Sequence, residues 1–237
     1  MSEAQRPRMP PVGPDAASRL AEALAGEASP TMQAAASVAE ATRQLIQVLM
    51  ATEAPVDDLE CAAELVAQAA SLLSGAPSRR PYEGFAESSM AGEERTFLQF
   101  SPLVGPANPL APPIVLGVAD EQVVGHVVFG DAYEGPPGCV HGGFVAAAFD
   151  EVLGFTMSFT GLIGMTGLLT VRYRKPTPLH RELRFDGRVD RIDGRKLYTS
   201  ATLHDGDSLT AEAEALFVSV DPEVFVSLMQ ARSDRSG

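Results

Sequence analysis

Apolar residues recur every three or four positions in the first third of the chain, the spacing of one face of an α-helix. This period predicts amphipathic helices over residues 30–52 and 57–74. Ser29 and Pro30 form a typical helix start, and Gly75 is a typical residue at a helix end. Both helices are rich in alanine and only thinly apolar. We therefore expect a helical hairpin that packs against another part of the protein.

After Pro113 the period changes to two, which predicts strands. The predicted strands cover residues 114–119, 122–129, 162–174, 183–192, 195–204 and 209–220. Tight turns such as Asp193-Gly194 join most of them, so they should form one antiparallel sheet. One helical stretch, 144–155, is apolar all round except for Asp150 and Glu151, and such a helix must be buried on every side. The pattern predicts an α+β fold in which an antiparallel sheet wraps around a central helix.

These patterns divide the chain into four parts. Residues 1–16 are rich in proline and polar residues, which predicts a disordered tail. Residues 17–80 form an N-terminal helical extension. Residues 81–113 contain many prolines and are predicted to be an irregular connector. The sheet and its central helix occupy residues 114–230.

Charge and cysteine content narrow the possible functions. The chain has 18 Lys and Arg against 31 Asp and Glu, a formal net charge of −13, which disfavours nucleic acid and anionic membranes as partners. An anionic substrate would therefore need a local basic patch. Cys61 and Cys139 fit neither a disulfide framework nor a metal site, and no segment reads as a signal peptide or membrane span. We expect a cytoplasmic protein with reduced thiols, no metal and no other cofactor.

The segment His141-Gly142-Gly143 lies directly before the central helix. Its glycines allow a sharp turn and leave backbone N–H groups uncovered, and the first N–H groups of a helix have no partner inside the helix. Such a helix start can bind the oxyanion of a tetrahedral intermediate. The residues alone are equally consistent with a glycine-rich turn in which His141 caps the helix.

Asp150 and Glu151 lie in the middle of this apolar helix. Burying an unpaired carboxylate is costly, and perturbed carboxylates cluster at functional sites. Adjacent helical residues point about 100° apart, so one of the two can be functional while the other is structural or lies at the rim. A satisfied polar group at a subunit contact explains either residue equally well.

The third predicted strand carries candidate ligand-binding residues. A strict period of two places Thr166, Arg172 and Arg174 on one face, with about 20 Å between Thr166 and Arg172 at ~3.3 Å per residue. That length suits a ligand with a reacting group at one end and phosphates at the other. Arg195 and Lys196 begin a neighbouring strand and add positive charge. Exposed charge of this kind also occurs on strands that bind nothing.

Together these motifs resemble those of the hotdog-fold thioesterases. The motifs are His141-Gly142-Gly143, Asp150 nine residues after the histidine, Gly154, Met165-Thr166, Tyr173-Arg174-Lys175-Pro176, Pro178-Leu179 and Gly194-Arg195-Lys196. They are most similar to the branch of thioesterase superfamily members four and five, related to the phenylacetyl-CoA thioesterases. The resemblance covers residues 95–220 and leaves the N-terminal helices unexplained. It implies a hotdog fold and hydrolysis of a medium- to long-chain acyl-CoA to free acid and CoA.

The resemblance also implies a role for each site residue. Domains of this family pair as homodimers or dimers of dimers, with each active site at the subunit interface. The N–H groups of His141 and Gly142, with Gly143 as a third, would form the oxyanion hole. Asp150 of the partner subunit would be the general base or the nucleophile, assisted by Thr166. The residues expected beside the CoA nucleotide are Arg172, Arg174, Arg195 and Lys196.

Three other functions are alternatives to thioester hydrolysis. A hotdog hydratase or dehydratase would use the imidazole of His141 as a base. A thiol enzyme would use Cys139 as the nucleophile, two residues from His141, but no third orienting residue accompanies them. A non-catalytic acyl-CoA-binding module would have no need for a carboxylate such as Asp150 in its central helix.

Overall fold

The computed structural model describes residues 28–76, 99–112, 114–119, 122–158, 160–162 and 164–220. The predicted tail at 1–16, most of the predicted connector and the segment after residue 220 lie outside these ranges. The helices are α1 Pro30–Ala51, α2 Val56–Ser74 and α3 Gly142–Ser158, with a short 3-10 helix at Asp131–Tyr133. The strands are β1 Val115–Ala119, β2 Gln122–Val128, β3 Gly164–Tyr173, β4 Glu182–Asp193, β5 Lys196–Asp205 and β6 Ser208–Ser219.

The six strands form one antiparallel sheet in the order β1-β2-β4-β5-β6-β3. Gly194 and Gly206 form the two hairpin turns from β4 to β6, and both have the positive φ (56° and 55°) that such turns favour. β3 follows α3 in sequence and pairs with β6, so it lies at one edge of the sheet. The predicted antiparallel sheet with one helix inserted early is confirmed.

The core lies between α3 and one face of the sheet. α3 packs against β2, β3, β4, β5 and β6, and eight of its residues are buried. Phe149 packs edge to face against Phe185 of β4, with ring centroids 5.1 Å apart. A Cβ atom at Gly187 would lie only 2.6 Å from Oγ1 of Thr156, so glycine is needed where the helix crosses β4. The predicted burial of the central helix is confirmed for the side that faces the sheet, but burial on every side is not, because Phe144 is exposed.

The opposite face of the sheet is polar. On β4, Leu183 and Phe185 are buried, whereas Arg184 and Arg188 point away from the core. Each arginine pairs with an acidic residue on the same strand. The pairs are Arg184–Asp186 at 2.7 Å and Arg188–Asp190 at 3.1 Å. This alternation agrees with the period of two in the sequence, as expected for an antiparallel sheet with one solvated face.

α1 and α2 do not form a packed hairpin. α1 is attached to two loops that lie before α3 by side-chain hydrogen bonds: Arg43 donates to the carbonyls of Asn108 (2.8 Å) and Pro106 (3.1 Å), and Gln47 accepts from the N–H of Ala132 (3.2 Å). α2 has no buried residue. Only α1 therefore packs as predicted. Among the described residues, no helix is both long and apolar enough to cross a bilayer.

The described part of the predicted connector, residues 99–112, is irregular but has its own hydrogen bonds. The N–H of Gly105 donates to the carbonyl of Ser101 (3.0 Å), and that of Ala107 donates to Gln99 (2.9 Å). A Cβ atom at Gly105 would lie 2.5 Å from the backbone oxygen of Ser101, so this tight turn requires glycine. Ser101 itself is fully buried. The loop therefore holds a fixed position against α1 and α3.

Candidate active site

Most backbone N–H groups at the start of α3 already have partners. The N–H of His141 donates to the carbonyl of Tyr133 (2.8 Å), and that of Phe144 donates to His141 (2.9 Å). The N–H of Gly143 donates to Nδ1 of the His141 imidazole at 3.0 Å. Among the described residues, the N–H of Gly142 has no acceptor. The start of α3 thus offers one free donor at the positive end of the helix dipole.

This pattern corrects the predicted oxyanion hole. The sequence suggested His141, Gly142 and Gly143 as donors, but the N–H groups of His141 and Gly143 are engaged within the chain. The imidazole of His141 caps the helix, as the alternative interpretation of this segment proposed. Sequence reasoning could not identify Tyr133 as an acceptor, because this residue belongs to the separate 3-10 helix. Only Gly142 keeps the predicted donor role.

The loop before His141 is held by close backbone packing. The N–H of Gly135 donates to the carbonyl of Cys139 (2.9 Å), and Oε1 of Glu134 accepts from the N–H of Gly138 (2.6 Å). A Cβ atom at Gly135 would lie 2.7 Å from Cα of His141. Within the described chain no hydrogen bond joins Cys139 to His141, so nothing there activates the thiol as a nucleophile.

The two carboxylates of α3 lie in different surroundings. Asp150 accepts a hydrogen bond from Oγ1 of Thr166 at 2.9 Å. Glu151 accepts one from Oγ of the buried Ser101 at 2.7 Å. Burial raises the pKa of Glu151, the hydrogen bond from Ser101 opposes this effect, and the nearby Asp150 raises the pKa further. Glu151 therefore links α3 to the 99–112 loop, whereas Asp150 faces the edge strand β3.

A β-bulge in β3 changes which residues share a face. Thr166 pairs with Phe217, but Leu168 pairs with Leu216, so the register shifts at Gly167. Thr166 consequently lies on the helix side of the sheet, and Arg172, which pairs with Glu212, lies on the opposite side. The prediction that Thr166 and Arg172 share one face is wrong. The strict period of two did not allow for the extra residue.

The predicted basic patch is largely paired with neighbouring groups. Its side-chain contacts are Arg172–Glu214 at 3.0 Å, Arg174–Glu212 at 2.5 Å and Arg195 to the carbonyl of Ser219 at 2.9 Å. These ion pairs lie on exposed strands, where each contributes little to stability. Lys196 is exposed at the start of β5. The register places Lys196 level with Met165, at the opposite end of the sheet from Arg172, so the four residues do not form one patch within a single chain. An anion would also compete with the acidic partners of Arg172 and Arg174.

The structure brings Asp150 and Thr166 together but keeps both away from Gly142. Gly142 and Asp150 are eight positions apart on one helix, which corresponds to about 12 Å at 1.5 Å per residue. One carbonyl group therefore cannot contact both residues of the same chain.

Comparison with known proteins identifies the family. Residues 137–212 match the thioesterase superfamily. A solved structure described as a thioesterase superfamily protein is 35% identical, with a TM-score of 0.68, and the match covers 78% of this chain and 94% of that one. The chain belongs to the thioesterase superfamily. The hotdog fold inferred from the motifs is confirmed.

Two curated relatives are named as acyl-coenzyme A thioesterases. Acyl-coenzyme A thioesterase THEM4 of Xenopus laevis is 40% identical over 95 residues, which cover 39% of this chain and 43% of the relative. The mouse protein of the same name is 39% identical over 92 residues, covering 38% and 40%. The match thus spans less than half the length of either relative.

The similarity to the solved thioesterase superfamily structure extends beyond the sheet and α3. Residues 114–237 make up only about half of the chain, so a match covering 78% includes part of the N-terminal segment. The motif-based resemblance, which began at residue 95, underestimated the shared region.

Proposed function

We propose that this protein hydrolyses the thioester bond of an acyl-CoA. The observation that carries the proposal is that one helix presents two suitable groups. Its first residue, Gly142, has an N–H without an acceptor among the described residues, and its Asp150 carboxylate accepts a hydrogen bond from the hydroxyl of Thr166. A donor aimed at an oxyanion and a carboxylate that can activate water are the two groups that acyl transfer to water requires. The names of the curated relatives, acyl-coenzyme A thioesterases, support the same activity.

We further propose that each active site is shared by two copies of the chain. The separation of about 12 Å along α3 prevents Gly142 and Asp150 of one chain from acting on the same carbonyl. Asp150 is only partly buried and lies beside β3, an edge strand with exposed apolar side chains at Met165 and Leu168. An apolar sheet edge is suited to pairing with a second copy. A homodimer, or a dimer of such dimers, would bring Asp150 opposite Gly142 of the partner subunit.

In this mechanism the thioester carbonyl accepts a hydrogen bond from the N–H of Gly142. Asp150 removes a proton from a water molecule as the water attacks the carbonyl carbon, and the helix start stabilises the negative charge that develops on oxygen. Collapse of the tetrahedral intermediate breaks the carbon–sulfur bond, and the departing CoA thiolate takes the proton held by Asp150 to give the free thiol and the free acid. The hydroxyl of Thr166 donates a hydrogen bond to Oδ1 of Asp150, which leaves the second carboxylate oxygen to accept a hydrogen bond from water. We therefore favour the general-base route over direct attack by the carboxylate.

The CoA nucleotide is proposed to contact the residues suggested by the family resemblance. Arg195 and Lys196 lie at the turn between β4 and β5, and their charges are exposed. Arg172 and Arg174 would exchange their glutamate partners for phosphate oxygens. A medium- to long-chain acyl group and a cytoplasmic location belong to the same proposal.

The test measures thiol release from acyl-CoA substrates of increasing chain length. General-base catalysis contributes about 10²–10⁴-fold, so Asp150→Asn should lower kcat by a factor in that range while the protein remains folded. Asp190→Asn is the matched control, because Asp190 lies on the polar face of the sheet, where its partners among the described residues are Arg188 and Ser200. Turnover by Asp150→Asn close to that of the unaltered protein would refute the assignment.

A further inference from the structure

Tyr173, the last residue of β3, contacts the first residue of α3. Its hydroxyl donates a hydrogen bond to the carbonyl oxygen of Gly142 at 2.7 Å. The bulge at Gly167 makes this contact possible, because it places Tyr173 in register with the buried Ala211, on the side of the sheet that faces the helix. The side chain of Tyr173 is nevertheless exposed, with 53% of the residue accessible. Burial in the core therefore does not explain its position.

The tyrosine also packs against Gly142. A Cβ atom added at Gly142 would lie 3.3 Å from the tyrosine hydroxyl and 3.4 Å from Cζ of the ring. A larger residue at this position would push the ring away or move the helix start. The absence of a side chain at Gly142 thus allows the hydroxyl to approach the backbone directly.

The peptide groups on both sides of Gly142 are held in place. The carbonyl of His141, which shares a peptide group with the N–H of Gly142, accepts a hydrogen bond from the N–H of Phe144, and the carbonyl of Gly142 accepts one from the hydroxyl of Tyr173. The free N–H of Gly142 lies between these two anchors. Glycine is the most flexible residue in the backbone, so without the second anchor the torsion angles at Gly142 would be less restricted and this N–H would be less well aimed.

We propose that Tyr173 is a positioning residue for the oxyanion donor, which rests on the proposed thioesterase function. By holding the carbonyl of Gly142, its hydroxyl restricts the rotation of the backbone at this glycine and keeps the N–H aimed at the substrate oxygen. Preorganised donors are effective because they need no rearrangement as charge develops. Tyr173 itself does not contact the reacting atoms.

Tyr173→Phe tests the proposal, since it keeps the ring and removes only the hydroxyl. Complete removal of an oxyanion donor costs about 10²–10³ in kcat. In this variant the donor remains but is less well oriented, so we expect kcat to fall by about tenfold to a hundredfold with little change in KM. A purely structural role would change the unfolding temperature without this separation of kcat from KM. Tyr198→Phe is the matched control, because Tyr198 lies under Arg191 on the polar face of the sheet.

Amide hydrogen exchange provides a second measurement that does not depend on turnover. In Tyr173→Phe, the hydrogen-bonded amides of Gly143 and Phe144 should exchange faster than in the unaltered protein, whereas those of β4 should not change. Unchanged kcat, or unchanged exchange at Gly143 and Phe144, overturns the positioning role and leaves the proposed function intact. Absence of hydrolysis by the unaltered protein with every acyl-CoA overturns the proposed function, and the positioning role with it.

Discussion

Replacing Ser101 with alanine should destabilise the protein more than its small size suggests. The hydroxyl of this fully buried residue donates to Glu151 at 2.7 Å and accepts the N–H groups of Leu103 at 3.2 Å and Val104 at 3.3 Å. Alanine would remove all three hydrogen bonds and leave a partly buried carboxylate without its donor.

The expected cost follows from these contacts. A hydrogen bond to a charged group contributes about 1.5–3 kcal/mol and a neutral one about 0.5–1.5 kcal/mol. The two backbone contacts are long, and Glu151 is not fully buried, so values near the lower limits apply. The free energy of unfolding should therefore fall by about 3 kcal/mol. For a protein of this size that corresponds to a decrease in Tm of roughly 6–12 °C.

The loss of stability caused by Ser101→Ala should also depend on pH. The pKa of Glu151 is already raised by burial, and the hydrogen bond from Ser101 partly offsets that rise. Without Ser101 the folded-state pKa rises further above the unfolded value. A group with a raised folded-state pKa contributes stability below its unfolded pKa, and that stability is lost as the pH rises through the folded-state pKa. The cost of Ser101→Ala should therefore be larger at pH 8 than at pH 5.

Urea unfolding followed by far-ultraviolet circular dichroism at both pH values measures these effects. Ser200→Ala is the matched control, because Ser200 also donates to a carboxylate, Asp190, but on the exposed face of the sheet. Its effect should stay below about 1 kcal/mol. A cost of Ser101→Ala equal to that of the control, or the same cost at pH 5 and pH 8, would refute the reasoning.

Two further substitutions test the helix start and the core. His141→Ala should lower kcat less than Asp150→Asn does, because it removes a helix cap worth about 0.5–2 kcal/mol and leaves the Gly142 N–H in place; the reverse order in thiol release would favour a hydratase-type imidazole base. Gly187→Ala should lower the free energy of unfolding by about 1–3 kcal/mol, because the added methyl group would meet Thr156. In the same urea experiment Gly117→Ala, where a Cβ has space, is the control, and equal effects would contradict the packing argument.

The sequence predicted the elements of the sheet and central helix well because each repeats one simple pattern. All six predicted strands agree with the observed bounds to within two residues. The alternation of buried and charged residues on β4 could also be predicted, since one face of that strand packs against the helix. Local periodicity is sufficient wherever burial alone decides the conformation.

The predicted site was less accurate because its details depend on contacts between distant segments. The bulge at Gly167 shifts the faces of β3, and only the glycine itself hints at it. The acceptor at Tyr133 removes His141 from the set of free donors, and the link between Ser101 and Glu151 spans 50 residues of sequence. Tyr173 was noted as part of a family motif, but its contact with Gly142 becomes visible only once the strand and helix are placed together.

The start and the middle of α3 carry complementary halves of the proposed chemistry. In a pair of chains related by twofold symmetry, each helix would donate its amide to one reaction centre and its carboxylate to the other. Two identical centres must then arise at once, and neither can exist in an isolated chain. If a chain defective only at Asp150 were mixed with a chain defective only at Gly142, each mixed dimer would contain one intact centre and one lacking both groups. Under the proposed mechanism, activity would therefore depend on assembly, and two separately inactive variants would regain it when they form a mixed dimer.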